Sequence, residues 1–110
     1  MANAFKNAVS ESIGTSSTDV YTAPASTTTT IIGATVANRT TGTITVDVTL
    51  TDTSSGTTVF LINDAPIPPG SSIVIVGGDQ KVVLETGDRL TVVSDTASSA
   101  DAIISVLEQS

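Results

Sequence analysis

Nucleophilic catalysis by a serine is the first chemistry to consider, because hydroxyl side chains are abundant in the sequence. A nucleophilic serine needs a base within hydrogen-bonding distance, and the sequence has no histidine to act as that base. A serine–lysine pair would have to use Lys6 or Lys81, and neither lysine lies in a recognisable catalytic motif. We therefore interpret both lysines as ordinary surface charges.

Paired carboxylates are the second possibility, since two acids at a suitable separation hydrolyse glycosidic bonds. Sugar sites normally also stack sugar rings on aromatic side chains, and this chain has only Phe5, Tyr21 and Phe60. Most of the acids fall in predicted turns, where aspartate hydrogen-bonds to the local backbone, so we assign them to turns. The acids considered are Asp47, Asp52, Asp64, Asp79, Glu85, Asp88, Asp95 and Asp101.

Metal and phosphate sites have weaker support. Clustered aspartate can bind calcium, and Gly77-Gly78-Asp79-Gln80 or residues 95–101 could contribute, but neither has the spacing of a dedicated calcium loop. Gly77-Gly78-Asp79 also lacks the helix of a phosphate-binding loop, so we interpret it as a hairpin turn. The absence of cysteine and histidine excludes the usual zinc and iron–sulfur sites. We expect no enzyme activity, no metal and no cofactor, with a weak calcium site left open.

Charge and hydropathy exclude two further classes of partner. Eleven acidic and four basic residues give a net charge of -7, so no positive surface is expected for phosphates and we predict no direct nucleic-acid binding. No segment approaches the roughly 20 apolar residues of a membrane span, and the N-terminus lacks the apolar run of a secretory signal. We expect no membrane association and synthesis in the cytoplasm.

The elements that would position any site are β-strands. Threonine, valine and isoleucine number 20, 13 and 10 of the 110 residues, and apolar and hydroxyl side chains alternate in several runs. In the run Ile44–Thr51 this alternation places Ile44, Val46, Val48 and Leu50 on one face of a strand. Such a pattern is typical of a sheet with one buried face and one solvated face.

Short turns rich in Gly, Pro, Asn, Asp and Ser divide the chain into predicted strands. These strands span 18–23, 28–37, 43–51, 57–63, 72–76, 81–85, 89–93 and 101–108. Residues 1–17 are interpreted as an N-terminal extended arm or a first strand. The sequence therefore predicts one all-β domain over residues 18–110, a single antiparallel β-sandwich with a jelly-roll-like arrangement of about eight short strands.

Three predicted strands are apolar on both faces, at 59–62, at 73–76, and at 103–104 together with 106–107. Because a monomer seldom leaves a large contiguous apolar patch uncovered, the N-terminal arm or another subunit would cover them. The alternative is scattered exposed valines. The proline-rich residues 65–70 are predicted to form an edge or a crossover between sheets, with a docking segment as the other reading.

Several segments, taken together, carry a resemblance to a known class of proteins. They are residues 4–9 and 13–15, residues 20–25 followed by 30–33, Ile67-Pro68-Pro69-Gly70, residues 77–90 and residues 100–108. Over nearly the whole chain, these segments resemble the small all-β virion proteins of tailed bacteriophages, notably phages of cyanobacteria and other marine bacteria. The resemblance implies a structural subunit of the virion.

We therefore expect a non-enzymatic capsid decoration or cement protein that binds the major capsid protein or other virion proteins and forms homo-oligomers. The alternatives are a neck, tail or fibre accessory module that binds the host surface, and a carboxylate-based hydrolase. The predicted partner contacts lie in the arm and at the edge and crossover. They are Phe5, Val9, Ile13, Phe60, Ile62 and Ile67.

Overall fold

The computed structural model describes residues 2–77 and 80–110, and these residues form nine β-strands. The strands are β1 (Asn3–Ile13), β2 (Thr18–Thr22), β3 (Thr28–Asn38), β4 (Ile44–Asp52), β5 (Thr57–Ile67), β6 (Ser72–Val76), β7 (Val82–Leu84), β8 (Arg89–Ser94) and β9 (Ala100–Gln109). Among the described residues, no helix is long and apolar enough to cross a membrane.

The strands form two packed antiparallel sheets. The front sheet has the order β1-β9-β3-β6, and β7 pairs with β3 beside β6. The back sheet has the order β2-β8-β4-β5. The predicted all-β sandwich is confirmed.

Side-chain alternation along each strand builds the core between the sheets. In β4, Ile44, Val46 and Val48 are buried and the residues between them are half-buried. Ile104 and Val106 of β9 supply part of the opposing layer. Both phenylalanines lie outside this core, which consists of valine, isoleucine, leucine and alanine side chains.

Each predicted strand overlaps one of β2 to β9, and the largest difference is at β5. This strand was expected to end at 63, but it continues to Ile67, with Pro66 opposite Thr45 of β4. Proline is tolerated there because β5 lies at the edge of the back sheet. Residues 68–71 then lead from the back sheet to β6 in the front sheet, so the proline-rich stretch is both an edge and a crossover.

The N-terminal segment lies within the front sheet. β1 pairs with β9 in a continuous register from Asn3 opposite Gln109 to Ser10 opposite Ala102. The register then shifts at a bulge where Ser12 has φ +56° and its N–H donates to Asp101 Oδ1 at 3.0 Å. The segment therefore adds a strand at the edge of the sheet.

Two turns were expected to depend on glycine. Gly87 has φ +87°, as expected from its place in Thr86-Gly87-Asp88, and a Cβ atom at this position would lie 3.0 Å from Thr53 Oγ1. The predicted hairpin at Gly77-Gly78-Asp79 includes Gly78 and Asp79, which lie outside the described residues, as does that part of the Gly77–Gln80 calcium alternative.

Candidate binding surface

The outward side of the front sheet carries two rows of mainly apolar side chains, because residues opposite each other in an antiparallel sheet share a face. The first row is Phe5, Leu107, Thr30 and Val83. The second row is Val9, Ile103, Thr35 and Val74. Each row therefore combines side chains from residues far apart in the sequence. We call this outward surface the front face.

Five large apolar side chains of the front face are exposed to solvent. Their relative exposures are 77% for Phe5, 65% for Val9, 64% for Val74, 56% for Val83 and 46% for Ile103. Monomeric proteins usually expose such side chains singly, whereas here they lie in two rows of one sheet, with only Asn7 and Ser105 of β1 and β9 between the rows. The front face is therefore the candidate binding surface of the molecule.

Two shallow depressions lie beside the rows of the front face. The first is lined by Val9, Glu11, Thr35, Ala37, Asp101 and Ile103, among others. The second has Phe5, Asn7, Ile32 and Ser105 in its lining. Ile32 reaches the second depression at a register shift between Ile31 and Gly33. A partner side chain inserted into either depression would contact apolar surface with polar groups at the margin.

An ion pair lies at one end of the front face. Arg39 Nη1 lies 3.0 Å from Asp101 Oδ1 and donates to Ser12 Oγ at 2.8 Å. Asp101 Oδ1 also accepts the Ser12 N–H, so these three residues hold the bulge of β1 against β9. Asp101 belonged to the calcium alternative over residues 95–101, and its Oδ1 atom is engaged by these two donors.

A partly buried polar network on the inward side of the front sheet links β1 and β9 to β2 of the back sheet. Tyr21 Oη donates to Glu108 Oε2 at 2.6 Å, and Lys6 Nζ lies 2.9 Å from Glu108 Oε1. The hydrogen bond from Tyr21, followed by the contact with Lys6, lowers the pKa of Glu108 below its usual value. Burial, followed by the hydrogen bond to Glu108, raises the pKa of Tyr21 to about 12. Lys6 is thus engaged by a carboxylate in this network.

The six predicted contact residues have different environments. Phe5 and Val9 are exposed on the front face, and Phe60 is 57% exposed on β5 of the back sheet. Ile62 is half-buried against the core. Ile13 and Ile67 are buried at 2% and 1% exposure, so their side chains are not accessible to a partner in this fold.

Local backbone geometry explains why Ile13 and Ile67 face inward. Simple alternation would place Ile13 on the same face as Phe5 and Val9, but the bulge with its positive φ at Ser12 turns Ile13 into the core. Asp64, with φ +53°, lies in a comparable irregularity of β5 before Ile67. The exposed residues that complete the front face are Val74, Val83 and Ile103, which sequence reasoning did not single out as contacts.

A cluster of three carboxylates lies at a loop end of the sandwich. Oxygen atoms of Asp52, Glu85 and Asp88 lie within 4.8 Å of one another, an arrangement that could hold a cation. The buried Asp88 accepts hydrogen bonds from Thr53 N–H and Glu85 N–H, both at 3.0 Å. Asp52 Oδ1 accepts the Ser54 hydroxyl at 2.7 Å, which lowers the pKa of Asp52. Through the bonds of Asp88, the cluster links the loop between β4 and β5 to the turn before β8.

Asp95, which belongs to the predicted calcium alternative over residues 95–101, also holds a loop in place through hydrogen bonds. Asp95 Oδ1 accepts the Thr45 N–H at 3.1 Å and the Thr96 hydroxyl at 2.9 Å. These two bonds, that from the Thr45 backbone first, lower the pKa of Asp95. The carboxylate therefore ties the loop after β8 to β4, as expected for aspartate in a turn.

No model of a known protein family matches the chain, and no curated protein matches its sequence.

Proposed function

We propose that this protein is a non-enzymatic structural subunit that binds another protein through the front face. The observation that carries the proposal is the pair of apolar rows, in which five large side chains are exposed on one sheet. Complete burial of such a side chain contributes roughly 1.5–3 kcal/mol, so a partner that covers both rows gains several kcal/mol from this surface. A rigid antiparallel sheet also presents the rows without an ordering cost in the backbone.

We infer that the partner is the major capsid protein or another virion protein of a tailed phage, with the chain acting as a capsid decoration or cement subunit. The support is the resemblance of the sequence segments to small phage virion proteins, together with a small acidic domain that has one apolar face. In this role the protein is made in the host cytoplasm and is carried on the virion. Many copies on a symmetric shell would each use the same face.

We also infer that the sandwich is of the jelly-roll type. The support is the pair of strand orders, β1-β9-β3-β6 and β2-β8-β4-β5, in which successive strands mostly change sheet. Jelly rolls of two four-stranded sheets recur in viral capsid proteins. This winding is compatible with the proposed role but does not by itself specify it, because one fold hosts many functions.

Binding to undecorated phage shells tests the proposal. We expect the parent protein to sediment with shells, and Ile103→Asp to weaken this binding at least tenfold, because a charge would be buried in the second row. Thr49→Asp is the matched control, since Thr49 lies on the outward side of the back sheet opposite Thr91 and should bind like the parent.

Two outcomes would contradict the proposal. If Phe60→Asp abolished shell binding while Ile103→Asp left it unchanged, the binding surface would be the β5 edge and not the front face. If the parent bound purified tails or fibres and no shells, the neck, tail or fibre alternative would replace the decoration role.

A further inference from the structure

The free edge of β1 is the one long, regular strand edge among the described residues. The other edge of the front sheet is divided between β6 and β7, with five and three residues. In the back sheet, β2 has a register shift after Asp19, and β5 contains Pro66 and a positive φ at Asp64. Irregularities of this kind block edge-to-edge pairing. β1 has no proline, and its register is continuous from Asn3 to Ser10.

The backbone groups at this free edge belong to the odd-numbered residues of β1. Ala2 and Ser110 exchange both backbone hydrogen bonds at 2.9 Å, which places the hydrogen-bonded pairs with β9 at even-numbered positions. The N–H and C=O groups of Phe5, Asn7 and Val9 therefore point away from β9. The side chains of these residues lie on the front face, so a strand added here would extend that face.

We propose that this edge binds the β1 strand of a second copy of the chain, antiparallel, around a two-fold axis at Asn7. Phe5 of one copy then lies opposite Val9 of the other, and the two Asn7 residues face each other. The three central pairs supply about six backbone hydrogen bonds. The two Phe–Val pairs add cross-strand apolar contact on the front face.

Charge and side-chain matching select this register. A shift of two residues in one direction sets Lys6 opposite Lys6 of the second copy, and a shift of two in the other direction sets Phe5 opposite Glu11. In the proposed register, Lys6 faces Ala8 of the second copy. Residues 1–17 contain one lysine and one glutamate as their only charges, so the net charge of -7 lies in the rest of the chain. Two β1 strands therefore meet without net repulsion.

The two-fold axis is perpendicular to the sheet, so both front faces lie on the same side of the dimer. The first row of one copy continues into the second row of the other, as Val83, Thr30, Leu107 and Phe5 followed by Val9, Ile103, Thr35 and Val74. The interface is isologous and closes as a dimer. This inference does not depend on what the front face binds, because the purified protein alone is measured.

Single-cysteine cross-linking of the full chain tests the dimer directly, since the sequence contains no cysteine. A hydrogen-bonded antiparallel pair has Cα atoms about 5.5 Å apart, within reach of a disulfide. We expect Asn7→Cys to form a disulfide-linked dimer of twice the 11.1 kDa chain mass on mild oxidation. The control is Ser105→Cys, which lies on the front face but away from the edge and should remain monomeric on a denaturing gel.

Charge substitution in the same register gives a second test by sedimentation equilibrium. Phe5→Lys combined with Val9→Lys places lysine opposite lysine twice, and we expect at least a tenfold weaker dimer. Phe5→Lys combined with Val9→Glu places lysine opposite glutamate twice and should recover dimerisation. A far-UV circular dichroism spectrum shows that each variant is folded.

The proposal is overturned by a parent protein that stays monomeric at hundreds of micromolar. It is also overturned if Ser105→Cys cross-links and Asn7→Cys does not, since that result indicates front faces stacked against each other. Equal dimerisation by the two double variants would exclude the register. None of these results depends on shell binding, so failure of the dimer and failure of the proposed function are distinguishable.

Discussion

At the scale of single residues, Glu108 links three strands with one carboxylate. Its two oxygens contact Tyr21 of β2 and Lys6 of β1, and the residue itself lies on β9. Because the pKa of Glu108 is lowered, its contribution to stability is present above the pKa of an unfolded glutamate and is lost as pH falls through the folded value. Tyr21, whose pKa is raised to about 12, contributes stability below pH 10 that is lost between pH 10 and 12.

We therefore predict that Tyr21→Phe lowers the free energy of unfolding by about 1 kcal/mol at pH 7, because the hydrogen bond to the ionised Glu108 is removed. At an acid pH below the lowered pKa of Glu108 the penalty should be smaller, since protonation of Glu108 weakens the same bond in the parent. Urea unfolding at the two pH values measures the difference. An identical penalty at both pH values would show that the network does not govern the acid sensitivity of the fold.

At the scale of elements, Asp88 fastens the loop between β4 and β5 to the turn before β8. The carboxylate is buried and accepts backbone N–H groups from Thr53 and Glu85. We predict that Asp88→Ala destabilises the protein by roughly 2 kcal/mol, because both donors lose their partner. Glu85→Ala is the control for the change of charge in the cluster and should alter stability by less than about 0.5 kcal/mol.

Thermal or chemical unfolding of these two variants gives the comparison. If Glu85→Ala were as destabilising as Asp88→Ala, a bound cation shared by the carboxylates would explain the cluster better than loop fastening. Addition of calcium would then raise the stability of the parent, as ligand linkage requires.

The strands themselves were largely predictable from the sequence, since side-chain alternation and turn residues are local signals. The run Ile44–Thr51 forms β4 with its apolar face buried, and Gly87 adopts the expected positive φ. The front face was not predictable as a surface, because no local signal shows which strands are neighbours. Phe5 and Val83 lie at opposite ends of one row and are connected across the sheet by β9 and β3. Ile13 and Ile67 were misplaced for a related reason, since a single bulge reverses the face of every later side chain.

At the scale of the whole molecule, most contacts join residues distant in sequence. β9 pairs with both β1 and β3, and β8 pairs with both β2 and β4, so each sheet has a central strand from the C-terminal part of the chain. Such contacts require the closure of long loops before any stabilisation is gained. Neither sheet can form from a continuous stretch of neighbouring strands.

We predict that the protein refolds slowly for its size, in roughly milliseconds to seconds, as in other β-sandwiches. Stopped-flow circular dichroism after dilution from urea measures the rate. A refolding phase of a few microseconds would indicate that a local hairpin, such as that of β4 and β5, carries most of the native structure early.

The late position of β9 also affects how the molecule is made. While the ribosome is synthesising the chain, β1 and β3 emerge first and have no shared neighbour until residues 100–109 have been translated. In an incomplete molecule, the edges of β1 and β3 that pair with β9 are therefore unpaired. The same edges are unpaired in every other incomplete copy nearby. When many copies are synthesised together, the β9 strand of one molecule can pair with β1 and β3 of another. This strand exchange competes with folding within one chain, so the yield of molecules folded from a single chain falls as expression increases.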